Sequence, residues 1–283
     1  MAGVRVDGPA WSSRAVIEAP DSVAALHRAY ARAGATIHTA NTFRATRAAL
    51  HGWVDAPAGL TVERWVERAV ALARGSVPVG ATVAARLSPF RDCWAPGPIT
   101  LDLIEAHRRQ AATLAAAGPD VILCETFAEP REALIATQAA LATGLPVWTA
   151  LTAGPQAALL TAGAMAEAAL RLRDAGCQRV LLNCTPAAET RRFAEALGGT
   201  GVPFGAYANA GAPADGLGYL VDWPEARPET AELERRASRY ADLAVTWVEA
   251  GARVVGGCCG TTPDHLRALV TRLGCHKDEG RVH

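Results

Sequence analysis

The chain lacks the features that would mark it for nucleic acid, membrane or export. Its formal net charge is zero, so no excess of one sign favours nucleic acid or an anionic membrane surface. No stretch reaches the roughly 18 uncharged apolar residues of a membrane span, and residues 1–8 contain no apolar signal-peptide region. These absences predict a cytoplasmic protein without nucleic-acid or membrane partners.

The signs of a disulfide framework are missing as well. The chain has seven cysteines, an odd number, and no export signal, so we expect reduced thiols in a reducing compartment. Methionine and aromatic residues are few, whereas half of the residues are hydrophobic and alanine is abundant. This composition supports a packed core with closely packed helices.

Short β-rich runs alternate with Ala-rich helical segments along the whole chain, which is typical of a parallel sheet with crossover helices. A length of 283 residues suits one (β/α)₈ barrel of roughly 250 residues. The eight predicted strands are residues 4–7, 35–43, 77–84, 121–127, 146–152, 179–185, 203–209 and 253–259, and helix stops containing glycine precede several of them. We therefore predict an α/β fold, a single (β/α)₈ TIM barrel domain over residues 1–283 with a shortened or atypical first strand.

Two long loops are predicted at the end of the barrel where active sites lie. They cover residues 86–98 after the third predicted strand and residues 210–228 after the seventh. Both follow the carboxyl ends of strands, and barrel enzymes place their catalytic residues there.

Two adjacent cysteines near the C-terminus are the most informative motif. Residues 256–263 read Gly-Gly-Cys-Cys-Gly-Thr-Thr-Pro and follow a predicted strand. Successive side chains of a strand point to opposite faces, so Cys258 and Cys259 can meet one ion only where the backbone leaves strand geometry. Glycine makes that departure cheap. The motif therefore indicates a metal or substrate site in a strand-to-helix loop.

A third thiol, Cys184, ends another predicted strand and is followed by a proline. Three thiolates from the ends of two strands form an incomplete tetrahedral zinc site. Three thiolates leave zinc a weak Lewis acid, better suited to holding a fourth sulfur as a thiolate than to activating water. We predict that Cys184, Cys258 and Cys259 bind zinc and act in catalysis by activating a substrate thiol for alkylation.

Three alternatives stay open for these cysteines. They could be buried reduced core residues, or Cys258 and Cys259 could form a strained vicinal disulfide. Cys93, in the long loop after the third predicted strand, could supply a fourth ligand and close the site. Cys177 is expected at the opposite end of its strand, and Cys275 beyond the last helix.

Glu125 places a carboxylate at the end of the apolar strand 121–127. Burial of a carboxylate is costly unless a cation or hydrogen-bond donors meet it, and a substrate ammonium group would do so. The alternative is a salt bridge to a loop arginine. Asn183 and Asn209 also end strands, where they could order the neighbouring loops.

Together these residues resemble the homocysteine S-methyltransferase family, zinc-dependent (β/α)₈ barrels that methylate homocysteine to methionine. The similarity covers nearly the whole chain, through residues 11–12, 27–35, 39–43, 124–126, 183–184, 207–211 and 247–261. The resemblance implies zinc as cofactor on Cys184, Cys258 and Cys259, and Glu125 as the group that binds the homocysteine amino group. It also places Asp7, Thr126 and Asn209 in the substrate site.

The chain departs from the family pattern at its beginning. Asp7-Gly8 is followed by Pro9-Ala10, without the glycine-rich loop that holds the amino-acid end of the substrate. This departure makes another thiol or a selenol an alternative acceptor. Residues 87–94 also lack the family's Gly-Pro-Tyr-Gly sequence, which bears on the choice of methyl donor.

The resemblance implies two small-molecule partners, a thiol acceptor and a methyl donor. A sulfonium donor, S-methylmethionine or S-adenosylmethionine, is preferred over betaine. A quaternary ammonium requires an aromatic cage, and no set of residues in this sequence can be assigned to one. A corrinoid donor would require a partner protein. From a different class, a non-catalytic zinc-binding barrel is the remaining alternative, and the oligomeric state is left open.

Overall fold

The computed structural model describes residues 8–210, 216–218 and 230–277, with side chains to residue 274. Within these ranges seven strands alternate with ten α-helices, preceded by a 3₁₀-helix at Trp11–Arg14. The strands are β1 (Ile37–Thr39), β2 (Thr82–Leu87), β3 (Val121–Phe127), β4 (Val147–Leu151), β5 (Arg179–Pro186), β6 (Phe204–Asn209) and β7 (Val254–Gly257). The helices are α1 (Ala15–Glu18), α2 (Pro20–Arg32), α3 (Arg47–Gly52), α4 (Val62–Arg74), α5 (Leu101–Ala116), α6 (Pro130–Leu141), α7 (Ala162–Asp174), α8 (Ala187–Gly198), α9 (Thr230–Glu249) and α10 (Pro263–Lys277).

Local signals in the sequence explain where the helices begin and end. Four of them, α3, α4, α5 and α7, follow a threonine whose hydroxyl accepts the N–H of the third helical residue. The glycines that follow several helices have positive φ, as at Gly34, Gly118, Gly144, Gly176 and Gly251. These are the predicted helix stops, and glycine adopts this conformation without the Cβ penalty.

The chain divides into two compact units. The first contains the chain up to Glu125 together with Arg131–Trp148, and the second contains Thr126–Pro130 and the chain from Thr149 onwards. In the first unit β1 pairs with β2 and β2 with β3, all parallel. In the second unit β5 pairs with β6 and β6 with β7, again parallel. Each unit therefore repeats the strand–helix–strand crossover of parallel sheets.

Each unit has its own aromatic core. In the first unit, the fully buried Trp65 lies 5.3 Å from Trp53 between ring centres and donates its indole N–H to the Ser13 carbonyl. In the second unit, Tyr240 and Trp247 on α9 are fully buried and meet edge to face at 5.6 Å. In the sequence, apolar residues that include Tyr240 and Trp247 repeat at a spacing of three to four, which predicts an apolar stripe on this helix. The burial of these two side chains confirms the stripe at their positions.

The predicted α/β fold of the (β/α)₈ class is confirmed by seven strands that alternate with helices. The predicted first strand, residues 4–7, lies outside the described residues, as does most of the predicted loop 210–228. No helix in the described ranges is both long and apolar enough to cross a membrane. The extent of one domain over residues 1–283 stays a prediction.

The prediction for the strand at residues 77–84 is wrong at both ends. The strand β2 begins at Thr82, because Pro78 and Gly80 form a turn in which the Ala81 N–H binds the Pro78 carbonyl. Gly80 has a φ of +90°, which is incompatible with a strand. The strand ends at Leu87, so Arg86 belongs to it rather than to the following loop.

The packing around β6 gives a test of the second unit. A Cβ atom added at Gly205 would lie 2.5 Å from the Val254 carbonyl oxygen and 2.9 Å from Leu181 Cδ2. Gly205→Ala should therefore destabilise the protein by about 1–3 kcal/mol in denaturant-induced unfolding. Gly163→Ala on α7 is the control: its Cβ would meet no atom within 4 Å, and helix propensity predicts unchanged or higher stability. Equal effects of the two substitutions would contradict this packing.

Candidate metal and substrate site

Three cysteine thiols of the second unit converge on one point. The Cys184 Sγ lies 2.7 Å from Cys258 Sγ and 3.8 Å from Cys259 Sγ. Two thiolates bound tetrahedrally to zinc at 2.3 Å would be roughly 3.8 Å apart. The Cys184–Cys259 separation matches this value, whereas Cys184 and Cys258 would have to move about 1 Å apart to bind one ion. All three sulfur atoms lie within 4.8 Å of one another. The fold thus brings together residues that are 74 positions apart in the chain.

The backbone at Cys184 explains how a strand residue reaches this point. Cys184 has a φ of +48°, and the pairing of β5 with β6 shifts register between Asn183 and Pro186. A positive φ costs a residue with a Cβ roughly 1–3 kcal/mol and persists only where its surroundings enforce it. This irregularity turns the side chain of Cys184 out of the normal strand alternation, towards the two other thiols.

The loop that carries the other two thiols is fixed by its own hydrogen bonds. The Cys258 N–H binds the Ala208 carbonyl at 2.9 Å, and the Cys259 N–H binds Asn209 Oδ1 at 3.1 Å. Thr261 donates its hydroxyl to the Cys258 carbonyl at 2.7 Å. A Cβ at Gly257 would lie 2.4 Å from Thr261 Oγ1, so this close approach requires glycine. Both ends of the cysteine pair are therefore held before any ligand arrives.

Tyr240 of α9 stabilises the same loop by hydrogen bonding. Its buried hydroxyl lies 2.8 Å from the Ala208 carbonyl and 2.9 Å from the Gly256 carbonyl, so it bridges the ends of β6 and β7. The sequence marked Tyr240 only as part of an apolar stripe. Its polar role could not be found from the periodicity, because the hydroxyl's partners lie on two different strands.

The donor set fits a soft divalent ion. Hydrogen bonds from Cys258 and Cys259, followed by burial, raise the pKa of Cys184 well above its usual value. The metal-free thiol of Cys184 is therefore protonated at neutral pH, and a bound metal would have to displace its proton. Three sulfur ligands favour zinc or another thiophilic metal over magnesium or calcium. Among the described residues the cluster consists of these three cysteines and does not include Cys93.

The other cysteines within the described side chains have separate environments. Cys93, Cys124 and Cys177 are buried and form no disulfide bond within the described residues. The thiol of Cys177 lies 3.1 Å from the Arg179 carbonyl at the start of β5, and burial raises its pKa. Cys177 therefore lies at the opposite end of the strand from Cys184, as its position in the sequence indicated. Cys275 lies within α10, so the prediction that it follows the last helix is wrong, and its side chain lies outside the described residues.

Glu125 lies in β3 and is the last residue of that strand that belongs to the first unit. Its side chain is 7 % exposed. It accepts a hydrogen bond from Arg86 at 3.3 Å. The alternative of a salt bridge is thus present in the structure, but Arg86 belongs to β2 and not to a loop. The sequence missed this arginine because the predicted strand ended at residue 84, three residues before the end of β2.

Thr126 and Asn183 are linked within the second unit. The Asn183 side-chain amide donates to Thr126 Oγ1 at 2.7 Å, and both residues are buried. Thr126 has a φ of +68°, a second strained position in this part of the chain. The Asn183 Oδ1 atom is buried without a hydrogen-bond partner among the described residues. The predicted substrate residue Thr126 therefore engages Asn183, the neighbour of Cys184.

Two further predicted substrate residues have different outcomes. Asp7 lies outside the described residues. Asn209 ends β6, and its Oδ1 accepts the N–H of Cys259. It thereby orders the cysteine loop, which is the other role that its position at a strand end suggested.

Comparison with known proteins shows the family to which this chain belongs. The family model for homocysteine S-methyltransferase matches residues 2–273. The chain belongs to this family. It is 28 % identical over 284 residues to homocysteine S-methyltransferase of Escherichia coli K12, covering 93 % of this chain and 87 % of that protein. It is also 28 % identical over 280 residues to betaine–homocysteine S-methyltransferase 1 of Bos taurus, covering 94 % and 67 %.

A solved structure supports the fold of this family member. The crystal structure of the homocysteine methyltransferase MmuM from Escherichia coli, metallated form, superimposes with a TM-score of 0.74. The two chains are 22 % identical, and the match covers 95 % of this chain and 91 % of the other. At this identity the likeness establishes the fold, and the family model establishes that the protein is a methyltransferase.

The contact of Asn209 with the cysteine loop can be tested through metal affinity. Asn209→Ala removes the acceptor of the Cys259 N–H without removing a ligand, and partners of this kind typically contribute 10- to 100-fold to metal affinity. We expect about a 10-fold weaker metal affinity in competition with a chelator. Asn209→Asp keeps an acceptor oxygen and should bind nearly as well as the wild type. Unchanged affinity in Asn209→Ala would show that the loop needs no such support.

Proposed function

We propose that the protein transfers a methyl group from a sulfonium donor, S-methylmethionine or S-adenosylmethionine, to the thiol of L-homocysteine, giving methionine. The observation that carries the proposal is the convergence of Cys184, Cys258 and Cys259. Zinc is the cofactor that this donor set fits best. When bound, it would supply an acceptor sulfur held as a thiolate at neutral pH.

The reaction is a balanced nucleophilic displacement. A bond forms between the acceptor sulfur and the methyl carbon while the bond from that carbon to the sulfonium sulfur breaks. The electron pair of the broken bond stays on the donor sulfur, which leaves as a neutral thioether. The acceptor proton is lost when the thiol becomes a thiolate. The leaving group is already activated, so the protein's main task is to align the two sulfur atoms with the methyl carbon.

The chain's own residues have defined parts in this scheme. The three cysteines bind the metal, and Asn209 and Tyr240 hold their loop in place. Glu125 binds the ammonium group of the acceptor, supported by its burial at the end of an apolar strand. The sulfonium donor is supported by relatives such as S-methylmethionine–homocysteine S-methyltransferase BHMT2 of Rattus norvegicus, to which the chain is 27 % identical over 279 residues. The cytoplasmic location stays a prediction.

The metal and the reaction can be tested together. The zinc-loaded protein is incubated with homocysteine and S-methylmethionine, S-adenosylmethionine or betaine in turn, and methionine formation is followed. Cys258→Ser should lose bound zinc and nearly all activity because one of three ligands is replaced. Cys177→Ser, a buried cysteine outside the cluster, should keep both.

The outcomes separate the alternatives. Full zinc content in Cys258→Ser would count decisively against the metal site. Stoichiometric zinc in the wild type with no turnover of homocysteine, but turnover of another thiol or a selenol, would change the acceptor. Zinc binding without turnover of any acceptor would favour a non-catalytic barrel. Loss of zinc in Cys93→Ser would identify Cys93 as a fourth ligand.

The role of Glu125 predicts a separation between acceptor binding and metal binding. A hydrogen bond to a charged group contributes about 1.5–3 kcal/mol, so Glu125→Gln should weaken acceptor binding roughly 10- to 150-fold. Zinc content should not change, since Glu125 is not a ligand in this scheme. Titration calorimetry with homocysteine and metal analysis measure the two quantities. A variant that loses zinc but binds homocysteine normally would overturn the assignment.

A further inference from the structure

Arg86 lies at the carboxyl end of β2, and its backbone is fixed by a buried threonine. The Arg86 N–H donates to Thr42 Oγ1 at 2.7 Å, and the same hydroxyl donates to the Arg86 carbonyl at 3.0 Å. Thr42 is fully buried. The guanidinium group is therefore carried by a rigid strand end rather than by a mobile loop.

The guanidinium uses part of its hydrogen-bonding capacity. Its Nε donates to the Ala40 carbonyl at 3.1 Å, one terminal nitrogen to Glu125 at 3.3 Å and the other to Asn41 Oδ1 at 3.4 Å. Arginine has five N–H groups. One N–H on each terminal nitrogen consequently has no partner among the residues that the structure describes. With 21 % of the side chain exposed, these two groups are available to a ligand.

The surroundings of Arg86 favour an anion. The guanidinium carbons of Arg86 and Arg44 lie 5.8 and 5.4 Å from the centre of the Phe43 ring. Arg44 also stacks 4.5 Å from the centre of the Trp11 ring, and in the described part of the chain it forms no ion pair. Within the described ranges its Nε is buried without an acceptor. Among the described residues of this cluster, the two guanidinium groups and the carboxylate of Glu125 leave a net positive charge.

The pair of Arg86 and Glu125 is complementary to an α-amino acid. The hydrogen bond of 3.3 Å between Arg86 and Glu125 is longer than the 2.7–2.9 Å typical of charge-assisted bonds, so little is lost when it opens. An α-amino acid carries a carboxylate and an ammonium group on one carbon atom. Its binding would replace the ion pair between Arg86 and Glu125 by two ion pairs, one to each residue, and leave neither charge buried alone.

We propose that Arg86 binds the α-carboxylate of the amino-acid acceptor while Glu125 binds its ammonium group. The inference rests on the proposed function, since it takes homocysteine as the acceptor. It assigns carboxylate recognition to a strand residue in a chain whose sequence lacks the glycine-rich family loop after Asp7. Arg86 is accordingly a specificity-determining residue that selects amino-acid thiols over simple thiols.

Titration calorimetry with three acceptors tests this assignment on the zinc-loaded protein. Homocysteine carries both charged groups, 3-aminopropane-1-thiol lacks the carboxylate, and 4-sulfanylbutanoate lacks the ammonium group. Arg86→Gln should bind homocysteine roughly 10- to 150-fold more weakly than wild type, as expected for one lost charged hydrogen bond. Its affinity for 3-aminopropane-1-thiol should stay within about 2-fold of wild type, because that acceptor has no carboxylate to lose. Glu125→Gln should show the reverse pattern, with 4-sulfanylbutanoate unaffected.

Two further variants serve as controls. Arg108→Gln on α5 removes an exposed arginine paired with Glu105 and should leave all three affinities unchanged. Arg86→Lys keeps the charge but not the two-nitrogen fork, and it should show a smaller loss that is still confined to acceptors with a carboxylate. It also serves as the test variant if Arg86→Gln does not fold.

Each result has a definite meaning. Normal homocysteine binding by Arg86→Gln, or an equal loss for homocysteine and 3-aminopropane-1-thiol, would overturn the role of Arg86 while leaving the proposed function intact. Failure of the zinc-loaded wild type to bind homocysteine would instead overturn the proposed function, and the carboxylate role with it. Unchanged zinc content in Arg86→Gln shows that any loss arises at the acceptor and not at the metal.

Discussion

The left-handed backbone at Cys184 is the constraint on which the candidate metal centre depends. A regular β5 would carry alternate side chains to opposite faces, and its last residues would remain in register with β6. The positive φ and the register shift after Asn183 break that regularity at one position. The conformation costs free energy, which the surrounding strand pairing must offset. Without this conformation, the thiol of Cys184 would not lie close to the thiols of Cys258 and Cys259.

The loop that carries Cys258 and Cys259 is held by a glycine and by hydrogen bonds. It does not depend on a strained backbone at a residue with a side chain, as Cys184 does. Gly257 permits the close approach of Thr261, and Asn209 and Ala208 hold the two cysteine N–H groups. Tyr240 ties the ends of β6 and β7 from the helix behind them. Metal binding therefore needs only the release of protons from the thiols and little rearrangement of the backbone, which favours affinity.

In the first unit, the proposed recognition of the acceptor's charges depends on the ends of β2 and β3. Arg86 donates a long hydrogen bond to Glu125, and Asn41 and Ala40 hold the guanidinium from the end of β1. A buried carboxylate with a partly exposed arginine is compatible both with a resting ion pair and with a receptor for a zwitterion. The 3.3 Å hydrogen bond between Arg86 and Glu125 is longer than the 3.0 Å contact in the fully buried pair of His107 and Glu132. In that pair Glu132 also accepts the Phe90 N–H.

The sequence by itself determined the fold class, five of the strands to within two residues at each end, and the three thiols as one group. These rest on local periodicity, on glycine and proline positions and on the unusual paired cysteines. The strand at Val121–Phe127 was predicted to the residue. It could not determine the start of β2, since the turn at Pro78 and Gly80 interrupts an apolar run that reads as a strand. Only the tertiary structure showed that Arg86 faces Glu125, that Asn209 supports Cys259 and that Tyr240 bridges two strands. These contacts join residues 16 to 50 positions apart, and hydrogen bonds of that separation depend on the register of neighbouring strands, which no local pattern encodes.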